Sequence, residues 1–241
     1  MAVRASDSAT WVAEGQEKRA AVQRMFAAIA PTYDVCNSLM SLRGHHRWRR
    51  AAVDALQLKP GDTVADICCG TGDFFLPLRR AIGSEGRLIG LDFCLPMLER
   101  SATKDEQAAR ALGDAGRLPL RSESVDAVTV GWGIRNVPDV DAAHAEIFRV
   151  LKRGGRFVSV DMAVPKSALV RAVSNLLTRR GLPILGALFR QREAYTYLPE
   201  STQRFKTREE LQASMEAAGF RDVKIRDFFF GNIAMHLGVK P

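Results

Sequence analysis

The chain has no pair of cysteines at metal-binding spacing. Cys36, Cys68, Cys69 and Cys94 form no Cys-x-x-Cys motif and no Cys/His cluster, so no metal site is expected, and they read as reduced, small apolar residues. Long apolar runs are also missing. The longest, 181–189, has nine residues with Pro183 inside it, far short of the ~20 that cross a bilayer as a helix. The first sixteen residues, MAVRASDSATWVAEGQ, lack an apolar core and carry Asp7 and Glu14, so no secretory leader is expected and residues 1–16 read as a flexible tail. No repeat or low-complexity segment stands out. These absences point to a cytoplasmic globular protein, and 241 residues suffice for one domain with a sizeable core.

Hydrophobic residues make up 46% and charged residues 26% of the chain, ordinary globular values. The net charge of +8 suits nucleic acid, an anionic membrane surface, an acidic ligand or plain solubility, and does not choose between them. A helical pattern starts near Glu17, carries Val22, Met25, Phe26 and Ile29, and stops before Pro31. A basic helix is predicted over 45–56, with Trp48, Val53 and Leu56 on one face. Arg47, Arg49 and Arg50 on that helix read either as a solvated face or as a contact for an anionic surface.

After Pro60-Gly61, strands are expected at about 63–68, 86–91, 110–113, 125–131 and 155–161, and helices near 73–82, 95–103 and 140–151. Residues 165–195 read as an amphipathic helical insertion punctuated by Pro165, Gly181 and Pro183. Thr207 and Glu210 form a capping-box signature for a helix over 208–218, and β-like runs at 222–230 and 232–239 close the chain. The expectation is an α/β fold with a doubly wound, mainly parallel seven-stranded sheet. It divides into N-terminal helices (17–60), a ligand-binding core (61–163), a helical insertion (164–206) and a C-terminal helix with strands (207–241).

The stretch 62–73, DTVADICCGTGD, is a strand ending near Asp66 that breaks into Gly70-Thr71-Gly72. Such a strand–glycine turn–helix presents a nucleotide-like ligand at the strand ends. A dinucleotide fingerprint wants a small residue three positions after the second glycine, and here that position is Phe75, which disfavours a pyrophosphate. A phosphate-binding Gly-Lys-Ser/Thr loop is absent. Asp92, about twenty residues beyond Gly72, stands where an acidic side chain accepts from both ribose hydroxyls, with Phe93 beside it. Asp114, followed by Ala115 at the next strand end, offers an acceptor for an adenine amino group. A glycine loop with two such carboxylates and no phosphate device suits S-adenosylmethionine.

The pieces ADICCGTGD, GLDF, GDAGRLPL, VDAVTVGWGIRNVPD and RVLKRGGRF resemble the successive motifs of class I, Rossmann-like methyltransferases. Four further pieces are more specific: Tyr33-Asp34-x-x-Asn37 with Ser41, His45 and Trp48-Arg49-Arg50; Gly133-Ile134-Arg135-Asn136-Val137; Ala194-Tyr195-x-Tyr197-Leu198-Pro199-Glu200-Ser201; and the ending with Ala234-Met235-His236-x-Gly238. Together they resemble the ubiquinone/menaquinone biosynthesis C-methyltransferase family over nearly all of 20–240. The resemblance implies methyl transfer from S-adenosylmethionine to a ring carbon of a polyprenylated quinol, either naphthoquinol or benzoquinol. It carries cofactor contacts onto Thr71, Asp92 and Asp114-Ala115. Gly131 stands where the family often has Ser, and Asp161-Met162-Ala163 where it often has Glu-Phe-Ser.

The chemistry needs a base, or a cation that stabilises the quinol oxygen as an anion. Arg135 is expected at that oxygen or at a bound water and Asn136 at orientation, with an ion pair between Arg135 and a nearby carboxylate such as Asp139 as the structural alternative. Tyr33 and His45 are secondary catalytic candidates, and Tyr195, Tyr197, Glu200 and His236 are expected to line the quinol pocket. Asp73 either favours the following helix dipole, faces the methionine amino group or moves a proton. The insertion and the basic stretch 43–50 would form a prenyl-tail groove beside an anionic bilayer at the inner membrane face, in a homodimer or a quinone-synthesis complex. RNA methylation is disfavoured, because no Asn/Asp-Pro-Pro-aromatic motif and no cysteine follows strand four. A small-molecule O-methyltransferase and a non-catalytic S-adenosylmethionine-binding component remain as alternatives.

Overall fold

The computed structural model describes residues 15–188 and 192–241; the expected tail lies almost wholly outside the described residues. Helices α1 (Gly15–Ile29), α2 (Tyr33–Met40) and α3 (Gly44–Leu56) precede the sheet. The alternating segment then runs β1 (Thr63–Ile67), α4 (Phe75–Ile82), β2 (Arg87–Asp92), α5 (Leu95–Ser101), β3 (Ala109–Leu112), β4 (Val125–Gly131), α6 (Val140–Val150) and β5 (Leu151–Met162). Helices α7 (Ala168–Leu188) and α8 (Arg192–Arg204) form the insertion, and α9 (Arg208–Ala217), β6 (Arg221–Phe228) and β7 (Ile233–Val239) close the fold.

The seven strands lie in the order β3-β2-β1-β4-β5-β7-β6. β1 to β5 are parallel, and β7 pairs antiparallel with both β5 and β6. Central strands covered on both faces need apolar residues throughout, and Val64, Ala65, Ile67, Val128 and Val130 are accordingly buried. One face packs on α6 and α9 through Ile147, Phe157, Met215 and Phe220. The other packs on α3 and α4 through Val53, Leu56, Phe75, Leu78 and Val158. Strand order reverses between β1 and β4, so their carboxyl ends part there and open a crevice.

Three local features differ from the sequence reading. α4 begins at Phe75 rather than 73, because Gly72 N–H donates to the Cys69 carbonyl at 2.9 Å and Phe75 N–H to the Gly72 carbonyl at 2.9 Å, using those residues in turns. The segment 33–40 is a helix rather than a connecting stretch. α7 continues through Gly181 and Pro183, and its packing on α8 outweighs the helix-breaking preference of those residues. The capping box at α9 forms both halves: Glu210 N–H donates to Thr207 Oγ1 at 3.2 Å, and Thr207 N–H to Glu210 Oε2 at 2.7 Å. Among the described residues no helix is long and apolar enough to cross a membrane, and no group of His, Cys, Asp or Glu could hold a metal.

Candidate active site

At the crevice the backbone turns sharply after β1, with Cys68, Gly70 and Gly72 all at positive φ. Gly72 has a steric reason to lack a side chain, since a Cβ there would lie 2.9 Å from the Phe75 ring. Gly70 N–H donates to Asp92 Oδ2 and Cys94 N–H to Asp92 Oδ1, each at 2.8 Å. These donors fix the carboxylate while leaving it lone pairs for a ligand. Burial pushes the Asp92 carboxyl above its ordinary pKa, and the backbone donors oppose that. Gly70, Asp92, Phe93, Asp114, Ala115 and Gly131 line one slot.

Asp114 Oδ1 accepts from Gly116 N–H at 2.9 Å, and Oδ2 pairs with Arg19 of α1 at 2.8 Å. Arg19 and Phe26 of α1 also line the slot, whose volume is about 60 Å³. Behind the slot, Asp66 is buried. Its Oδ1 accepts from Thr129 Oγ1 at 2.6 Å, while Oδ2 has no hydrogen-bond partner. Burial pushes its pKa up to about 7, chiefly against the opposing Thr129 hydrogen bond. Two carboxylates in the slot and a third with an orphaned oxygen behind it suit a nucleoside that carries positive charge.

Thr71 and Gly72 do not line the slot. The Thr71 hydroxyl donates to Asp34 and accepts from Lys104 Nζ at 3.2 Å. Gly131 does line the slot, but not because its side-chain space is empty: the Phe74 ring fills it, 2.4 Å from where a Cβ would stand.

A second cavity of about 550 Å³ opens beside the slot. Its walls are largely apolar, with Met25 and Ile29 from α1, Met40 from α2, Trp48 from α3, Met162 from β5 and Phe229 after β6. Phe26, Tyr33 and Trp132 line both spaces, so the two meet there. The polar groups of the second cavity include Asn37, His45, Arg49 and Arg135. Burial pushes the Tyr33 hydroxyl above its ordinary pKa, which keeps it a neutral phenol.

Arg135 is buried and pairs through Nη1 with Asp161, while the same nitrogen donates to the Trp132 carbonyl at 2.9 Å. Burial opposes its charge, but Asp161 more than offsets this and holds the guanidinium pKa above its usual value. The partner is therefore Asp161 and not Asp139, whose Oδ1 instead caps α6 by accepting from Ala142 N–H at 2.9 Å. Asn136 Oδ1 accepts from the Tyr197 hydroxyl at 2.8 Å, and its Nδ2 donates to the Trp132 carbonyl at 3.2 Å. Asn136 lines the slot and Tyr197 the larger cavity, so this hydrogen bond links the two spaces.

Arg49 departs most from the sequence reading. Rather than lying on a solvated or membrane-facing surface, it is 5% exposed and lines the larger cavity. The buried residues of α3 are His45, Arg49, Ala52, Val53 and Leu56, a helical stripe that includes the arginine. Its guanidinium carbon lies 4.5 Å from the Trp132 ring centroid. Nη1 donates to His45 Nδ1, and Nη2 lies 3.0 Å from Asp73 Oδ2. His45 Nε2, which then carries the ring proton, faces Ser38 Oγ at 3.3 Å. Burial, then the charge of Arg49, pushes His45 down to about 4. Asp73 also pairs with Lys104; Arg49 and Lys104 together outweigh burial and hold its carboxyl below the ordinary range. It is the anion of this cluster rather than a helix-dipole residue, since α4 starts two residues later.

The remaining expected pocket residues fall elsewhere. His236 is buried in β7 opposite Ser159 and donates from Nε2 to the Arg208 carbonyl at 3.0 Å, outside both cavities. Glu200 is half-buried on α8 and lines neither cavity. The side chain of Tyr195 lies outside the described residues.

Comparison with known proteins fits this geometry. A family model described as the ubiE/COQ5 methyltransferase family matches residues 13–240. A demethylmenaquinone methyltransferase of Lactiplantibacillus plantarum is 38% identical over 226 residues, covering 91% of this chain and 95% of that protein. One from Staphylococcus aureus is 37% identical over 233 residues, covering 95% and 97%. Among solved structures, an S-adenosylmethionine-dependent methyltransferase from Thermotoga maritima superposes with a TM-score of 0.66 at 22% identity, covering 91% of this chain and 99% of that one. A Haemonchus contortus phosphoethanolamine N-methyltransferase holding S-adenosylhomocysteine superposes at 0.60 with 17% identity, covering 81% and 52%. These two likenesses establish the fold. The match along nearly the whole chain and the identity to curated relatives establish more: the chain belongs to the ubiE/COQ5 methyltransferase family.

Proposed function

We propose that this methyltransferase moves a methyl group from S-adenosylmethionine to a ring carbon of a polyprenylated quinol, and that the quinol is a demethylmenaquinol. The carrying observation is that a carboxylate-bearing slot and a large apolar cavity meet at Phe26, Tyr33 and Trp132. The name shared by relatives at 37–38% identity supports the naphthoquinol choice.

Asp92 would hold the ribose hydroxyls, Asp114 the adenine amino group once Arg19 releases it, and Asp66 would face the positive end of the donor. When bound, S-adenosylmethionine supplies a methyl on a positively charged sulfur, and the acceptor carbon takes it as the carbon–sulfur bond breaks, the sulfur keeping the electron pair. The ring carbon becomes nucleophilic as the neighbouring hydroxyl ionises, and loss of the ring proton restores the aromatic quinol. Arg135 presents a buried positive charge to that oxygen. Asn136, fixed by Tyr197 and the Trp132 carbonyl, orients the ring at the junction, and Tyr33 offers a neutral hydroxyl. The apolar walls exclude water and take the first part of the prenyl tail.

The tail would leave toward a lipid surface. Leu42 and Phe230 are 85% and 82% exposed; Leu42 follows Met40 and Ser41, and Phe230 follows Phe229, all three of which line the cavity. Arg43 and Arg47 are exposed nearby in the chain and suit anionic headgroups. The test is purified protein with labelled S-adenosylmethionine and reduced naphthoquinols or benzoquinols of varied tail length, presented in neutral or anionic vesicles. Label on a ring carbon, rising with tail length, is expected. Label on oxygen alone, or none, would overturn the reading, and indifference to the tail would favour a small soluble acceptor.

A further inference from the structure

We propose that Arg49 is a catalytic residue, a second guanidinium that acts with Arg135 to stabilise the ionised oxygen of the acceptor ring; this rests on the quinol reading above. Three observations carry it. Arg49 is buried and lines the acceptor cavity against Trp132, one of the side chains at the junction with the donor slot. Its two terminal nitrogens are held by His45 and Asp73, which fixes the guanidinium on the cavity wall.

The third observation is the charge balance. Arg135 faces a buried carboxylate of its own, Asp161. Arg49 shares Asp73 with Lys104, and the other anion near Lys104, Asp34, has a side chain 44% exposed and is weakened by solvent. Arg49 therefore shares its paired carboxylate with a second cation, as Arg135 does not. His45 acts as a positioning residue. It accepts from Nη1, stays neutral at physiological pH, and with Asp73 fixes the orientation of the guanidinium. Planar guanidinium over the Trp132 indole adds a cation–π contact that holds the same orientation.

The competing account is that Arg49 only braces the glycine loop through Asp73, in which case its loss would be felt at the cofactor. Arg49→Ala and Arg49→Lys separate the two, with kcat for quinol methylation and the dissociation constant of S-adenosylhomocysteine measured on each. Loss of one donor to a developing oxyanion typically lowers kcat about 10²–10³-fold. That fall is expected for both variants, with cofactor affinity within about threefold, and it should shrink for a halogenated quinol whose hydroxyl ionises more readily. A matched loss of cofactor affinity, or equal losses for the ordinary and the acidified quinol, would overturn the role. If Arg49→Ala does not fold, Arg49→Lys, which keeps the charge but not the planar fork held by His45 and Asp73, gives the same reading. A wild-type protein that methylates no quinol carbon would instead defeat the quinol assignment, and this role with it.

Discussion

Removing the Asp161 carboxylate should cost the fold more than removing the whole Arg135–Asp161 pair. Both residues are buried, Arg135 at 6% and Asp161 at 3% exposed. Asp161 receives the Arg135 side chain, Arg135 N–H at 3.3 Å and Met162 N–H at 2.7 Å. Asp161→Ala strips the counter-charge from a guanidinium that stays charged at every accessible pH. Breaking a buried pair from one side typically costs about 3–5 kcal/mol, whereas replacing both members by apolar residues of similar size is often near neutral. For a chain of this length each kcal/mol lowers Tm by about 2–4 °C, so the single variant should melt roughly 6–20 °C below wild type.

Urea unfolding at pH 7 of wild type, Asp161→Ala, Arg135→Met and the double variant closes the cycle. The double variant should be more stable than Asp161→Ala by at least about 1 kcal/mol, a coupling expected of residues in contact. An Asp161→Ala cost below about 1 kcal/mol, or strictly additive single effects, would refute the claim that Arg135 depends on this carboxylate. Methylation by the double variant should be lost even where its stability recovers, because the cavity then has no charge at that position.

Two other consequences follow from buried positions. Asp66 ionises near pH 7 in the fold, pushed up by burial, against about 3.9 in an unfolded chain. The folded state then holds an extra proton between those values, so this contribution is fully present below about pH 4, declines as pH rises, and is gone above about 7. Asp66→Asn keeps an acceptor for Thr129 and carries no charge, so in the absence of cofactor it should outlast wild type at pH 8 by a few kcal/mol and match it near pH 4. A stability difference that does not vary over pH 4–8 would contradict this. At Gly131, the Phe74 ring stands 2.4 Å from an added Cβ. Gly131→Ser should cost about 1–3 kcal/mol by overpacking, with Phe74→Leu restoring part of it; an unchanged melting temperature for the single variant would show that the ring moves freely.

The parts of this protein that were legible in the sequence are those written locally. Parallel strands buried on both faces appear as apolar runs, the glycine loop announces the switch point, and Asp92 and Asp114 stand at strand ends that the alternation itself locates. The misread residues are ones whose partners come from another element. A carboxylate partner for Arg135 was legible, but the example at hand was Asp139, four residues away. The real partner of Arg135 is 26 residues on, placed there because β4 and β5 are neighbours with Gly131 opposite Val160. Thr71 belongs to a motif, but its hydroxyl answers to Lys104 and Asp34, which lie outside the glycine loop. His236 belongs to a shared ending, yet β7 carries it into the sheet, away from the cavities. Arg49 is different, because its signal was present. Positions 45, 49, 52, 53 and 56 repeat at helical spacing, and following that phase from Val53 and Leu56 back to His45 puts the arginine on the buried stripe. Basic residues on both sides, Arg47 and Arg50, made the helix read as a solvated face. A lone arginine in phase with an apolar stripe must find compensation inside the protein, and that requirement marks it as part of a site before any fold is known.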